Sequence, residues 1–256
     1  MANTRLVLSD YADPISYAPA LLNSPDTASG YTASNIFTRD RHTAWKVGGS
    51  NVGTFDIDLG AAYSIDAIVV CGEDHASWGT ASGPVVTAYY SDNAVSWSAV
   101  SGSIAAANWS GYSNGILSIA TAVSRRYWRI VFTGSGTFSI GKLFLGNDTD
   151  LGFVYSQGTT RTLVRQRTRH NVNGALAIHE LGPSYRRFGL RFDRVNGTTL
   201  STLETAHGLG RPFVYIDKAS RVWHVELDDD LLTRSHVFGD DTNDIYDLTL
   251  NLVELV

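Results

Sequence analysis

Short apolar or alternating segments, each bounded by Gly, Ser, Asn or Asp, follow one another through the first 150 residues. Residues 55–59 (FDIDL) alternate apolar and polar side chains and stop at Gly60, and residues 65–71 form a mostly apolar, β-branched run. Further segments of this kind lie at residues 85–90, 116–119, 127–132 and 138–145. Such spacing predicts a β-sandwich of the jelly-roll type, and no segment before residue 150 has convincing helical periodicity.

Beyond residue 160 the pattern combines strands with one short helix. The predicted strands, with a hairpin turn at residues 218–220, lie at residues 188–193, 213–217, 221–227 and 246–252. Thr198 or Thr199 can cap a helix that carries Leu200 and Leu203 and ends at Gly208. We therefore predict a mainly β protein, with an N-terminal sandwich and a C-terminal α+β domain of antiparallel sheet and one short helix.

Composition changes near residue 150. Twenty of the 25 serines and five of the six tryptophans precede Asn147, whereas 11 of the 17 arginines follow it. A change of this kind is typical of a domain boundary. We expect one domain at residues 1–147, a linker at residues 148–160 and a second domain at residues 161–256.

Charge, cysteine content and hydropathy exclude several classes of protein. The net charge of −5 argues against sequence-specific nucleic-acid binding, which needs a clustered cationic face. Cys71 is the single cysteine, so an internal disulfide framework is excluded. The longest apolar run, residues 67–71, is too short to span a bilayer, and residues 1–10 do not resemble a secretory signal. We expect synthesis and retention in the cytoplasm until the protein is released, without a membrane partner.

The first domain resembles discoidin-type, galactose-binding-like domains. The segments that carry the resemblance occur in family order at residues 33–36, 43–45, 55–60, 65–68, 90–93 with Trp97, 126–130 and 140–143. The resemblance implies a jelly-roll sandwich with Trp45 closing one end of its core. Members commonly bind sugars or other ligands on loops at one end, but many are structural or adapter modules. The fold alone therefore does not establish sugar binding.

The discoidin resemblance also bears on metal binding. Family members often carry an Asp-Gly pair, seven and six residues before the tryptophan, that supplies a structural calcium site. Thr38 and Arg39 stand at those positions here, and Asp40 is displaced by two. Calcium takes about six to eight oxygen ligands, and an arginine in the loop opposes it. We predict no metal and no cofactor.

The second domain resembles the ring-forming domain of distal tail and related baseplate proteins of long-tailed bacteriophages. The resemblance rests on the Leu200/Leu203 helix and on residues 185–190, 211–213, 221–225 and 246–254. It implies a fold related to the tail tube, assembled as a ring of identical subunits, with the sandwich decorating the outside. The sandwich comes first in this chain, which leaves the exact family member open.

Charge in the second domain is divided along the sequence. Residues 161–194 hold eight arginines against two acids, and residues 211–256 hold ten acids against four cations. Complementary ends suit head-to-tail contacts between subunits, although the same charges can also pair within one subunit or be solvated. The interface candidates are Arg165, Arg167, Arg169, Arg186, Arg187, Asp228, Asp229 and Asp230.

Signals for catalysis are poor. His179-Glu180 begins the pattern of a zinc-protease helix, but Pro183 occupies the place of the second histidine. Asp56 and Asp58 share one face of a strand, where a solvated outer sheet face is favoured over a catalytic carboxylate pair. We predict that the protein is not an enzyme.

Two loops of the first domain combine aromatic rings with short polar side chains, as sugar recognition requires. The carbohydrate-binding candidates are Asp74, His75, Trp78, Asn108, Trp109 and Tyr112. Alternatively, Trp78 and Trp109 pack under their own loops or dock against a neighbouring subunit. The other four tryptophans, Trp45, Trp97, Trp128 and Trp223, are expected in cores.

These patterns favour a structural component of a bacteriophage or phage-like tail tip, at the virion tail end after assembly in the host cytoplasm. Its expected partners are copies of itself in a ring, tail tube, baseplate or hub proteins, and host-surface glycans. The alternative is a stand-alone, lectin-type carbohydrate-binding module.

Overall fold

The computed structural model describes most of the chain and divides it into two compact units. The described residues are 4–40, 43–72, 83–105, 109, 114–134, 136–150, 160–164, 167–172, 175–180, 185–196, 201, 204–205, 208, 211–217, 219–228, 233–238 and 245–255. The first unit comprises residues 1–150 together with residues 214–223. The second comprises residues 151–213 and 224–256. The domain limits expected from composition remain a prediction.

Strands account for nearly all of the regular structure in the described residues. A short 3₁₀ helix spans Ala33–Phe37. The strands are β1 Arg5–Val7, β2 Ala20–Leu21, β3 Trp45–Lys46, β4 Val52–Gly72, β5 Val85–Ser91, β6 Ser98–Ala99, β7 Asn114–Thr133, β8 Ser139–Gly146, β9 Asp148–Asp150, β10 Thr160–Val164, β11 Arg167–Val172, β12 Ala175–Glu180, β13 Tyr185–Asn196, β14 Phe213–Ile216, β15 Val222–Leu227, β16 Thr233–Phe238 and β17 Ile245–Glu254. The predicted mainly β class, with a sandwich in the first half, is confirmed.

The sandwich is built around a long antiparallel ribbon of β4 and β7. One half of the ribbon pairs β4 residues 52–58 with β7 residues 127–133, and the other pairs residues 63–71 with residues 114–125. Gly60, at the irregularity between the halves, has φ +79°, and its N–H donates a hydrogen bond to the Asp58 carboxylate at 2.8 Å. The prediction that the strand stops at Gly60 is wrong, because the chain bends there and continues in the same strand.

The core of the sandwich lies between the two halves of this ribbon and the strands beside them. Phe55, Ile57 and Leu59 are buried, as their alternation predicted. The Trp45 ring meets Phe55 edge-on, with ring centroids 4.7 Å apart. Its indole N–H donates a hydrogen bond to Thr27 Oγ1 at 3.0 Å, so the polar atom of this buried ring has a partner.

Three of the four tryptophans expected in cores, Trp45, Trp128 and Trp223, are buried. Trp97 is a correction, because it is only half-buried and stacks against the Arg129 guanidinium, 4.4 Å from the ring centroid. It follows a turn of Ser, Asp and Asn residues, and its flat face covers a charged row on the outside of the sheet. The sequence around a single tryptophan does not show whether its ring lies in the core or on the outer face of the sheet.

A second apolar cluster in the first unit combines early and late parts of the sequence. Val69 and Phe144 of the sandwich pack with Val214, Ile216 and Val222, all of them buried. β1 pairs with β14 on one side and with β9 on the other. The hairpin predicted around residues 218–220 therefore supplies apolar side chains to the unit that contains the sandwich.

In the second unit, β13 pairs antiparallel with β10 and β17, and β17 also pairs with β15 and β16. Phe188, Leu190, Leu250 and Leu252 are buried, which confirms the alternation in both segments where side chains are described. The described residues at positions 201, 204, 205 and 208 are helical, which agrees with the predicted short helix, while Leu200 and Leu203 lie outside the described residues. Within the part of the chain that is described, no helix has the length and apolar character needed to cross a membrane.

Candidate glycan-binding end of the sandwich

One end of the sandwich is formed where the two extremities of the β4–β7 ribbon approach each other. Cys71 pairs with Asn114 at one extremity, and Gly53 pairs with Phe132 near the other. Trp45 belongs to β3, which pairs with β8, the neighbour of β4 at the first extremity. The Trp45 ring lies directly against Gly53, where a Cβ atom would overlap it. The ribbon is thus folded over on itself, and we call this the open end.

Both loops that the sequence predicts for sugar binding adjoin the open end. β4 finishes at Gly72, just before one loop, and β7 begins at Asn114, just after the other. Five of the six predicted carbohydrate-binding residues lie outside the described residues, and for these the assignment stays a prediction. They are Asp74, His75, Trp78, Asn108 and Tyr112.

Trp109 is the sixth candidate, and its placement corrects the expectation. Its side chain is fully buried in the sandwich core. The indole N–H donates to the Pro84 carbonyl oxygen at 2.7 Å, and the ring lies near Gly115. A ring in this position offers no face to a sugar, because it is part of the core.

Two polar residues that the sequence analysis did not select stand beside the open end. The Asp26 carboxylate accepts hydrogen bonds from the Ser50 backbone N–H, at 2.7 Å, and from the Ser50 hydroxyl. These bonds lower the pKa of Asp26, so the carboxylate remains charged and is a potential acceptor for sugar hydroxyl groups. A Cβ atom at Gly48 would overlap this carboxylate, which explains a glycine there.

An exposed aromatic ring lies near the same segment. Tyr31 is 37% exposed, and the Lys46 ammonium group lies 5.6 Å from its ring centroid. An aromatic face beside a hydrogen-bond donor has the chemistry of a sugar contact. Near Asp26, Ser50 and Tyr31, the sequence shows only the turn residues at positions 48–51. These residues predict a turn but do not show which side chains the turn brings together.

Asp56 and Asp58 form ion pairs on the outer face of the sheet. The Asp56 carboxylate accepts hydrogen bonds from both Nε and Nη2 of Arg129, at 2.6 and 2.8 Å. The Asp58 carboxylate accepts hydrogen bonds from Nε and Nη2 of Arg126, at 2.6 and 2.7 Å. Each carboxylate therefore has its own arginine partner and is only 15% exposed, so these side chains are paired on the sheet face rather than solvated as expected.

The interface candidates of the second unit are paired within that unit where their side chains are described. Arg186 Nη1 donates to both carboxylate oxygens of Glu254, at 3.0 and 2.8 Å, and Glu254 is buried. Arg187 Nε lies 3.1 Å from Asp228 Oδ2. These contacts agree with the alternative in which the charges pair within one subunit, and a role of Arg186, Arg187 and Asp228 in subunit contacts stays a prediction.

The remaining interface candidates are not placed in the same detail. Arg167 and Arg169 lie two residues apart in β11, as the prediction of a shared strand face requires, and β11 pairs with β12. Arg165, Asp229 and Asp230 lie outside the described residues. For these five residues a role in subunit contacts stays a prediction.

A buried ionic network lies beside the 3₁₀ helix. The Lys142 ammonium group donates to Asp10 Oδ2 at 2.7 Å and to the Phe37 carbonyl oxygen at 2.9 Å. Burial raises the pKa of Asp10, and the nearby Lys142 charge opposes that effect. The ammonium group also lies 5.0 Å from the Phe144 ring centroid. A cation is thus held in the interior by a carboxylate, a carbonyl and an aromatic face.

A second pair lies next to the first. Arg39 Nε and Nη2 contact the two oxygens of the Asp13 carboxylate at 3.2 and 2.7 Å, and Ser16 Oγ donates to the same group at 2.7 Å. Burial by itself would raise the pKa of Asp13, but the hydrogen bonds from Arg39 and Ser16 outweigh it and hold the pKa well below its usual range. The Asp13 side chain is only 2% exposed.

Comparison with known families identifies the fold of the first half. The family of the F5/8 type C domain matches residues 22–143. This match supports a discoidin-like domain at these residues. The resemblance of residues 160–256 to distal tail proteins stays a prediction.

Solved structures from Clostridium perfringens include similar modules. One is CBM32-1 of a family 31 glycoside hydrolase, with 18% identity and a TM-score of 0.42, matching 53% of this chain and all of that one. Another is a family 89 hydrolase module, CBM32-5, in complex with GalNAc-β-1,3-galactose, with 16% identity and a TM-score of 0.40, matching 50% of this chain and 94% of that one. A third, CBM32-6, has 14% identity and a TM-score of 0.40 and matches 54% and 98% of the two chains. No curated protein sequence matches the chain.

Proposed function

We propose that this protein is a non-enzymatic glycan-binding protein whose discoidin-like domain takes sugars at the open end of the sandwich. The F5/8 type C match over residues 22–143 carries the proposal. The pairing of Cys71 with Asn114 supports it, because the chain leaves β4 for one candidate loop beside the point where it enters β7 from the other. In this proposal the Trp78 ring stacks on the sugar, and Asp74, His75, Asn108 and Tyr112 supply directional hydrogen bonds.

A glycan array with the full chain tests this function. We expect binding to a defined set of glycans, reduced at least about fivefold in Trp78→Ala because a stacked ring contributes on the order of 1 kcal/mol or more. Trp97→Ala is the matched control, since Trp97 lies against Arg129 on the outer sheet face. Absence of glycan binding by a folded chain would reject the proposal, and an equal loss in both variants would reject the assignment of Trp78.

A second role would use this binding in a larger particle. We propose that the second unit makes the protein a structural component of a bacteriophage or phage-like tail tip, forming a ring around the tail channel. The observation that favours this role is that segments 185–190 and 246–252, which carry the tail resemblance, lie on neighbouring strands. Phe188 pairs with Leu252 and Leu190 with Leu250. In such a particle the sandwich would hold neighbouring baseplate proteins or contact glycans on the host surface.

The mass of the purified full chain in solution tests the tail role separately. We expect a closed oligomer of identical subunits at low salt, because high salt screens the charged contacts between subunits. A chain that stays monomeric at low and high salt, and with tail tube or baseplate proteins present, would reject the ring. Glycan binding by such a monomer would then favour the lectin-type alternative.

A further inference from the structure

The loop that begins at the 3₁₀ helix and ends before Trp45 has the oxygen-rich construction expected around a cation. Thr38 Oγ1 lies 2.9 Å from the carbonyl oxygens of Asn35 and Asp40 and 3.4 Å from that of Thr43. A hydroxyl group has a single proton to donate, so three carbonyls converge on one tethered hydroxyl group. Thr38 stands where discoidin-type domains often have the aspartate of the calcium pair.

The residues present do not fit calcium. The two buried carboxylates near the loop, Asp10 and Asp13, are already paired with Lys142 and Arg39. A divalent cation would have to displace or face the buried Lys142 ammonium group and the 33% exposed Arg39 guanidinium group, and both positive charges would repel it. Among the described side chains, no group of three or more His, Cys, Asp or Glu residues is arranged to hold a metal ion.

We propose that side chains of this protein hold the loop in place. Lys142, Arg39 and Thr38 together replace the structural calcium ion that the family resemblance implies. The Lys142 ammonium group bridges Phe37 at the end of the 3₁₀ helix to Asp10 in the N-terminal segment. Arg39 joins the loop to Asp13. Thr38 Oγ1 occupies the point on which the loop carbonyls converge.

Thermal unfolding of the full chain with EDTA or with 1 mM calcium chloride tests the proposal. We expect the same midpoint in both, because a site that bound calcium well below 1 mM would raise the midpoint by several degrees. We expect Lys142→Met to unfold at a lower temperature than wild type in both buffers. Lys46→Met is the matched control, because Lys46 is a surface cation beside Tyr31 and should leave the midpoint unchanged. A clear calcium-dependent rise in the wild-type midpoint would overturn the proposal.

A gain-of-binding variant separates this role from ordinary packing. Thr38→Asp combined with Arg39→Gly restores the family pair, and we expect its midpoint to fall in EDTA and to recover with calcium. Calcium titration by calorimetry should give heat with this variant and none with wild type. If the double variant unfolds in EDTA at the wild-type temperature, Thr38 and Arg39 do not hold the loop and the proposal fails. Should Lys142→Met not fold, the wild-type melts and the double variant still decide the question.

Discussion

The indole N–H of Trp109 donates a hydrogen bond to the Pro84 carbonyl oxygen at 2.7 Å, inside the sandwich core. The bond joins a residue just ahead of β7 to one just ahead of β5, so it fixes the approach of both strands to the open end. Trp109 therefore supports the open end through packing and not through contact with a ligand.

We expect Trp109→Ala to lower the free energy of unfolding by about 3–5 kcal/mol, because it removes a fully buried ring and leaves a cavity and an unpaired carbonyl group. Urea unfolding at neutral pH measures this change. Trp97→Ala, at the half-buried outer face, is expected to cost clearly less. Unchanged stability of Trp109→Ala with loss of glycan binding would return Trp109 to the list of contact residues.

The ion pair between Arg186 and Glu254 gives a second prediction. Arg186→Met leaves the buried Glu254 carboxylate without its cation, and we expect a loss of about 2 kcal/mol in the free energy of unfolding. Arg187→Met is the control, because Arg187 is 52% exposed and its pair with Asp228 should contribute about 1 kcal/mol or less. A variant Arg186→Met that is fully stable but fails to oligomerise would favour the intersubunit role instead.

Acid sensitivity should depend on Asp13. Its pKa is lowered in the folded protein, so the charged carboxylate stabilises the fold above its ordinary pKa of 3.8, and that contribution is lost as the pH falls through the folded-state value. We expect Asp13→Asn to unfold at a lower temperature than wild type at pH 7, with the difference shrinking below about pH 3.8.

Thermal melts across this pH range measure the effect of Asp13. Asp92→Asn is the control, since that carboxylate is 80% exposed. Direct comparison with wild type is needed because the raised pKa of Asp10 acts in the opposite sense and favours the folded state on acidification. A difference between Asp13→Asn and wild type that stays constant down to pH 2 would contradict the assignment.

Neighbouring glycines at the open end should differ sharply in tolerance. Gly48→Ala places a Cβ atom in the Asp26 carboxylate and must push it away from Ser50, whereas Gly49→Ala meets no atom within 4 Å. We expect Gly48→Ala to cost about 1–3 kcal/mol and Gly49→Ala to change stability by less than about 0.5 kcal/mol. Urea unfolding of the two variants checks this, and equal stabilities would show that Asp26 moves freely.

The periodicity of the sequence was sufficient for the strands, because alternation directly records which side chains face the core. Phe55, Ile57 and Leu59 lie inside for this reason. The sequence does not distinguish the bend at Gly60 from the end of a strand, because a glycine with positive φ occurs both in turns and in bulges.

The site was harder to predict, because it depends on pairs far apart in sequence. Trp109 lies between Asn108 and Ser110 in a segment with the composition of a loop, and only the contact with the distant Pro84 carbonyl shows that its ring is buried. Arg186 and Glu254 are separated by 68 residues, so charge counting detected both groups but not their mutual neutralisation. Nothing in the local sequence around Lys142 predicts a buried ammonium group bound to Asp10.

The apolar cluster that includes Val214, Ile216 and Val222 has a consequence for biosynthesis. Val69 and Phe144 are synthesised well before those three residues, so the nascent sandwich exposes an apolar surface during much of translation. Chaperone dependence and aggregation of ribosome-released fragments should therefore drop abruptly once the chain grows past residue 223. Any shortened version that keeps the whole discoidin-like region but omits residues 214–223 inherits the same exposed surface permanently.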